Sequence, residues 1–189
     1  MAPHSLYRLF AALFLLGMCS CASKPAAFAP VRLTGKARFI LLGPEYLEAP
    51  LDMAQHIRGR YGEEEFVAEA WVKADETGVV IALFNSLGAG LGEFSFDAGG
   101  AAFSSAYFSV FVMPEYIAAD FQFCFYQAEA LEAALKQAGL GFQVETFTGG
   151  EIRRITENAK PIITVEKKPG SISCVNHLRG YSYILEGNF

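Results

Sequence analysis

Few side chains in this chain are of types that do chemistry, and their spacing excludes most of it. Of the three histidines, His4 falls in an N-terminal stretch read below as an export segment, which leaves His56 and His177. There is no HExxH, no CxxC pair and no His–carboxylate spacing suited to a metal. His177 follows Asn176 in a polar turn ahead of Arg179-Gly180-Tyr181, a setting for turn or surface contacts rather than catalysis. Gly88-Ala89-Gly90-Leu91-Gly92 has the glycines of a phosphate loop. A dinucleotide fingerprint, however, is GxGxxG opening a helix whose N-terminus meets phosphate, whereas this spacing is GxGxG and a strand follows. There is no GxSxG elbow, and Ser86, Ser104, Ser105 and Ser109 have no local base. Glu63-Glu64-Glu65 reads as a solvated run at a strand entrance rather than a catalytic carboxylate pair. The expectation is a protein that is not an enzyme and uses neither a cofactor nor a metal.

The remaining candidate chemistry is acylation. Arg8 supplies a basic start, Leu9 to Met18 is an apolar run too short to span a bilayer, and Met18-Cys19-Ser20-Cys21-Ala22-Ser23 follows. This resembles the lipobox of a bacterial lipoprotein signal peptide, whose cysteine becomes the diacylated N-terminus. Cys21 is the preferred lipidation site because Ser20 puts a small residue before it; Cys19 is the alternative, with Leu16 and Gly17 well placed but Met18 where a small residue is usual. An ordinary secretory signal with incidental cysteines is the plain alternative. The residue after the lipidated cysteine, Ser20 or Ala22, is not Asp, which resembles lipoproteins sorted to the outer membrane. The expected organisation is therefore a signal peptide at 1–20, a tether at 21–36 rich in Ala, Pro and Lys, and one domain at 37–189. The expected location is the cell envelope, anchored by lipid to the periplasmic face of the outer membrane.

Composition agrees with one well-filled domain: 189 residues, 52% hydrophobic, with 17 Phe. The formal net charge is −5, and removing residues 1–20 takes Arg8 and no acid, so nucleic acid is not an expected partner. Tyr61 to Glu129 carries eleven acids against Lys73 alone, a solvated acidic face or one that orients the tethered domain against anionic headgroups.

Glu65 to Lys73 alternates, with Phe66, Ala68, Ala70 and Val72 on one face. Turns at Asp75–Gly78, Asn85–Gly92 and Asp97–Gly100 link it to strands at Val79–Phe84, Glu93–Asp97 and Phe103–Val112, an antiparallel meander. Arg38–Leu42 is a short strand, and Met53–Tyr61 reads equally as a strand or a helical turn. Pro114 opens a helix with Ile117, Phe121 and Phe125 on one face. After a break at Gln127, Ala128, Leu131, Leu135 and Ala138 form a second apolar stripe closed by Gly139. Five strands follow: Phe142–Phe147, Glu151–Thr156, Pro161–Glu166, Ser171–Asn176 and Tyr181–Leu185. The fold class is α+β: a strongly curved antiparallel sheet with two helices packed in its concave side. Cys124, in FQFCFY, and Cys174, in a strand, read as separate core thiols, although an oxidising compartment permits a bridge.

The segments QHIRGRYG, ALFNSLGAGLGEFSFD, YIAADFQFCFY, RRI and NHLRGYSYIL, in that order, resemble a family of uncharacterised bacterial outer-membrane lipoproteins often encoded near fatty-acid or polyene biosynthesis. That family's fold is related to LolB, the outer-membrane lipoprotein receptor. The resemblance implies a LolA/LolB-like half barrel that holds an acyl chain or a lipoprotein cargo. Leu87 and Leu91, in the glycine turn, are candidate membrane or cargo contacts. Phe94, Phe96, Ile117, Phe121 and Phe125 are candidate lining residues for a cavity, and the same residues equally describe a filled core. The alternative function is a structural or adaptor lipoprotein assisting export or assembly of an envelope lipid or polyene.

Overall fold

A computed structural model describes residues 28–108 and 113–189. The expected signal peptide, both candidate lipidation cysteines and the start of the tether lie outside the described residues, as do residues 109–112 of the strand expected at 103–112. Of its described part only Phe103 and Ser104 are in a strand, which spans Gly100–Ser104, and 105–108 form a loop.

Twelve strands and two helices are described. A small hairpin comes first: β1 (Pro30–Arg32) pairs antiparallel with β2 (Arg38–Ile40). The rest of the strands form one ten-stranded open sheet, and they occur in the chain as β3 (Leu51–Tyr61), β4 (Glu64–Asp75), β5 (Gly78–Phe84), β6 (Gly90–Asp97) and β7 (Gly100–Ser104). Helices α1 (Pro114–Phe125) and α2 (Ala128–Gln137) follow, and then β8 (Gly141–Phe147), β9 (Gly150–Glu157), β10 (Lys160–Lys168), β11 (Ser171–Asn176) and β12 (Tyr181–Gly187).

The sheet order is β7-β6-β5-β4-β3-β12-β11-β10-β9-β8. Two five-stranded meanders therefore join at their first and last strands, β3 and β12, in a register running from Gln55–Gly187 to Tyr61–Tyr181. The chain leaves one edge at β7 and re-enters at the opposite edge, β8, with the helices between. Helix α1 touches β7 and also β10 and β11. In a flat sheet those strands would lie roughly 30 Å apart, while a helix of this length is about 18 Å long and 10–12 Å across. One helix can touch both only because the sheet curls strongly around it.

The inner face is set by period-two alternation. On β4, Ala68, Ala70, Val72 and Ala74 are buried while Glu69, Trp71 and Lys73 are exposed. Register continues the inward rows as Val72–Ile81–Phe94–Phe103 and Ala74–Val79–Phe96–Ala101. Helix α1 starts at Pro114, whose missing N–H is harmless in a first turn. Gln127 separates the helices as the N-cap of α2, and Gly139, at φ +77°, ends it.

Three expectations change. Met53–Tyr61 lies within a single long strand. Residues 30–36, assigned above to the tether, belong to the packed body: Val31 and Leu33 are buried, and Phe28 stacks on Phe96 at 5.0 Å between centroids. The strand Arg38–Ile40 pairs with β1 instead of the large sheet, and this hairpin with α1 and α2 covers the inner face, where Phe39, Phe123, Tyr126, Leu131 and Leu135 are fully enclosed. No helix among the described residues is long and apolar enough to cross a membrane.

Candidate functional site

The glycine-rich tip between β5 and β6 is tied by Asn85. Its Oδ1 accepts the backbone N–H of Leu87 at 3.0 Å and of Ala89 at 2.9 Å, while its backbone exchanges bonds with Ala89 and Gly88, both at 2.9 Å. This is the local hydrogen bonding that makes Asn a turn residue, and Gly88, at φ +77°, supplies the left-handed position. The tip is thus a defined turn that holds Leu87 out, 90% exposed. Leu91 is half-buried beside it. Its carbonyl accepts the Ser105 hydroxyl at 2.5 Å, and Ser105 Oγ in turn accepts the N–H groups of Tyr107 and Phe108. Hairpin tip and post-β7 loop together form a shallow groove of about 410 Å³ whose lining includes Leu83, Phe84, Leu91 and Tyr107.

Behind this groove the inner wall is built from small residues. Ala70 pairs with Gln55 and Leu83, and Ala68 pairs with Ile57. Ile57 and Leu83 are only half-buried, so apolar inner surface stays accessible at this end. Gln55 is 3% exposed, and its Nε2 has no partner among the described residues.

The other expected contacts lie elsewhere. Phe94 and Phe96 are each 1% exposed and belong to the core. Phe121 and Phe125 are buried against each other, with centroids 4.8 Å apart, and Ile117 is half-buried on the same helix. The seven residues therefore do not line one open cavity: Leu87 and Leu91 sit together at the tip, and the phenylalanines pack the interior.

Sequence reasoning missed two polar networks that fasten α1 to the sheet. In the first, Arg153, 2% exposed, donates from Nη1 to the carbonyls of Phe123 (3.2 Å) and Tyr126 (2.7 Å) at the end of α1. Its Nε donates to Glu151 at 2.8 Å and its Nη2 to Glu48. Lys167 closes the group on Glu48 (2.7 Å) and Glu151 (3.2 Å). Burial pushes the Glu151 carboxyl up, but Arg153 and Lys167 outweigh it and hold the group below its ordinary value. The available signal was an arginine at an inward position of an alternating strand, with Arg154 pointing out to Glu145.

In the second, the Tyr181 hydroxyl donates to Asp120 Oδ2 at 2.6 Å and accepts from Asn176 Nδ2 at 3.1 Å. Arg179 lies 3.6 Å over the Tyr116 ring. The residue surface of Asp120 is partly exposed, yet its carboxylate is turned in to Tyr181. Burial raises it to about 7, against the lowering effects of the Tyr181 bond and Arg179. One turn on, Cys124 Sγ lies 3.7 Å from the Tyr183 hydroxyl, beside Cys174. Both cysteines are free and fully buried. The neighbouring Cys124 thiol and burial push Cys174 well above its ordinary value, which favours the thiol over the nucleophilic thiolate. His177 bonds Thr164 at 3.0 Å in an exposed pair on the surface. The Arg153 and Tyr181 networks together fasten α1 to the sheet.

Residues 52–186 match the family described as "Protein of unknown function (DUF3261)", and the chain belongs to that family. No curated protein matches it.

Proposed function

We propose that this DUF3261 chain is a lipid-anchored, non-enzymatic protein of the cell envelope that binds or passes on acyl chains, of lipoproteins or a related lipid, at the β5–β6 end of a LolB-like half barrel. The observation that carries the reading is Leu87, held out at 90% exposure by the Asn85 turn. A leucine in that position loses about 1.5–3 kcal/mol of burial free energy that a hydrocarbon environment would restore. The groove lined by Leu83, Phe84 and Leu91 continues the apolar surface inward. Gln55 Nε2, without a partner among the described residues, is a donor that an acyl carbonyl on the inner wall would meet. Lipidation at Cys21, or alternatively Cys19, supplies the anchor, and the tether gives the domain reach.

The test is transfer of a fluorescent acylated reporter between vesicles by the full chain. Replacing both tip leucines (Leu87→Asp with Leu91→Asp) is expected to cut transfer at least tenfold, with a thermal midpoint within a few degrees of the parent. Transfer unchanged by the pair overturns the reading. Gln55→Leu is expected to act in opposite directions on two measurements. Stability in denaturant rises by about 1 kcal/mol because a buried unpaired donor is removed, and affinity for the acyl reporter falls.

The extent to which β1, β2 and the helices occupy the inner face favours a second reading, an adaptor lipoprotein that assists an envelope lipid or polyene without enclosing it. Under that reading the tip double variant leaves acyl transfer unchanged and abolishes capture of a protein partner.

A further inference from the structure

The outer face of the β1–β2 hairpin carries a charge arrangement that the fold itself does not balance. Arg32 and Arg38 are register partners and both are exposed. Like charges directly opposite across two strands are destabilising. Neither forms an ion pair among the described residues, in a chain with 20 acids against 15 basic residues. A third guanidinium is drawn to the same place, because the Arg32 carbonyl accepts from Arg179 Nη2 at 2.7 Å as well as from the Tyr116 hydroxyl at 3.1 Å.

Arg38 also forms part of the wall of a groove of about 430 Å³ between β2 and α2. One side of this trough is Ile40, 53% exposed, with Tyr46, 38% exposed. The other side is formed by Ala130, Ala133, Ala134 and Ala138, along α2 and just beyond its end, with Gln137 as its one larger side chain. No acidic side chain lines it. From Ala130 to Ala138 the trough runs about 12 Å along the helix. Its course along the alanines suits one extended alkyl chain, and Arg38 in its wall, with Arg32 opposite it in register, suits an anion; a planar guanidinium takes a carboxylate through two parallel hydrogen bonds.

We propose that this trough binds a single-chain amphiphile with a carboxylate head, a long-chain fatty acid anion, with Arg38 and Arg32 holding the head and the alanine face of α2 receiving the tail. The site shares no residue with the hairpin tip or the inner wall and does not depend on the acyl reading of that end.

The experiment photolabels the full chain in phosphatidylcholine vesicles doped with a fatty acid that carries a diazirine in its tail, followed by peptide mapping. Label is expected on residues 38–46 and 130–138. The double variant Arg32→Ala with Arg38→Ala is expected to lower that label at least tenfold while the thermal midpoint holds or rises, since a like-charge pair is removed. Ala134→Trp, which fills the trough, is expected to abolish it. A fatty alcohol with the same tail is expected to label at least tenfold less. Label confined to the Leu87–Leu91 end overturns the trough and leaves the acyl reading standing. Equal labelling by acid and alcohol overturns the assignment of the arginines. Label at neither place overturns both readings, and trough label without tip label overturns only the tip.

Discussion

Arg153→Ala is expected to lower the stability of the fold by about 3–5 kcal/mol, read from urea denaturation at neutral pH. The size follows from what the guanidinium leaves behind. Two carbonyls at the end of α1 lose their donor, and Glu48 and Glu151 are left near Lys167 alone. The last turn of a helix already presents unpaired carbonyls and a partial negative charge; taking away a buried cation and leaving two carboxylates beside it makes both costs worse. Arg153→Met, which keeps most of the volume, is expected to recover little of the loss. Combining Arg153→Met with Glu151→Gln and Glu48→Gln is expected to recover much of it, because removing both sides of a buried ionic group is far less costly than removing one. If Arg153→Ala changes stability by less than about 1 kcal/mol, the network is a surface ion pair in effect, and the inner end of α1 is held by packing alone.

The same residue shows where sequence stops being informative. Strands β4 to β6 were legible because Ala68, Ala70 and Val72 alternate with Glu69, Trp71 and Lys73, and because glycine turns separate the runs. Helix α1 was legible from Pro114 and the spacing of Ile117, Phe121 and Phe125. What could not be read was which distant strands meet. The pairing of β3 with β12 joins residues 55–61 to 181–187, and no local signal encodes it. β3 itself hid its period, since two of its inward positions are Gln55 and Gly59 and the chain alternates them with His and Arg. Of the β1–β2 hairpin the sequence showed the second strand, at Arg38–Leu42, while β1 was hidden by the Ala-, Pro- and Lys-rich residues ahead of it, although Val31, Leu33, Ala37, Phe39 and Leu41 all prove to be core.

At the candidate site, exposed and buried apolar residues have the same letters in sequence. Leu87, in the glycine turn, and Phe96, on the returning strand, were both candidate lipid contacts; Asn85 shapes a tip that holds Leu87 outward, while register turns Phe96 inward. Asp120 and Arg153 escaped notice for the converse reason. A charged residue on an amphipathic element is normally on its wet face, and their roles depend on partners 61 and 105 residues away.

Burial of Asp120 gives the fold a pH-dependent contribution opposite in sign to that of a carboxyl lowered by its partners, such as Glu151. Asp120 has its carboxyl raised from an ordinary value of 3.8 to about 7 by burial, so the folded state holds a proton that the unfolded chain releases near pH 4. Between those two values the native state binds more protons, and stability must fall as pH rises; the contribution is fully present below about pH 4 and lost by the time pH passes 7. The groups that face this carboxylate are Tyr181 and Arg179, with Cys174 and Tyr183 also feeling its charge, and the lowering effects of Tyr181 and Arg179 do not overcome burial. Asp120→Asn keeps an oxygen to accept the Tyr181 hydrogen bond and removes the titration. It is expected to stabilise the protein above pH 7 by up to about 4 kcal/mol, the free energy of a shift of this size, and by little at pH 4. Denaturation midpoints of the parent and Asp120→Asn across pH 4–8 read this directly. The two curves should converge at the acid end and separate upward. Parallel curves would show that solvent reaches the carboxylate, and that Tyr181 and Asn176 hold α1 without it.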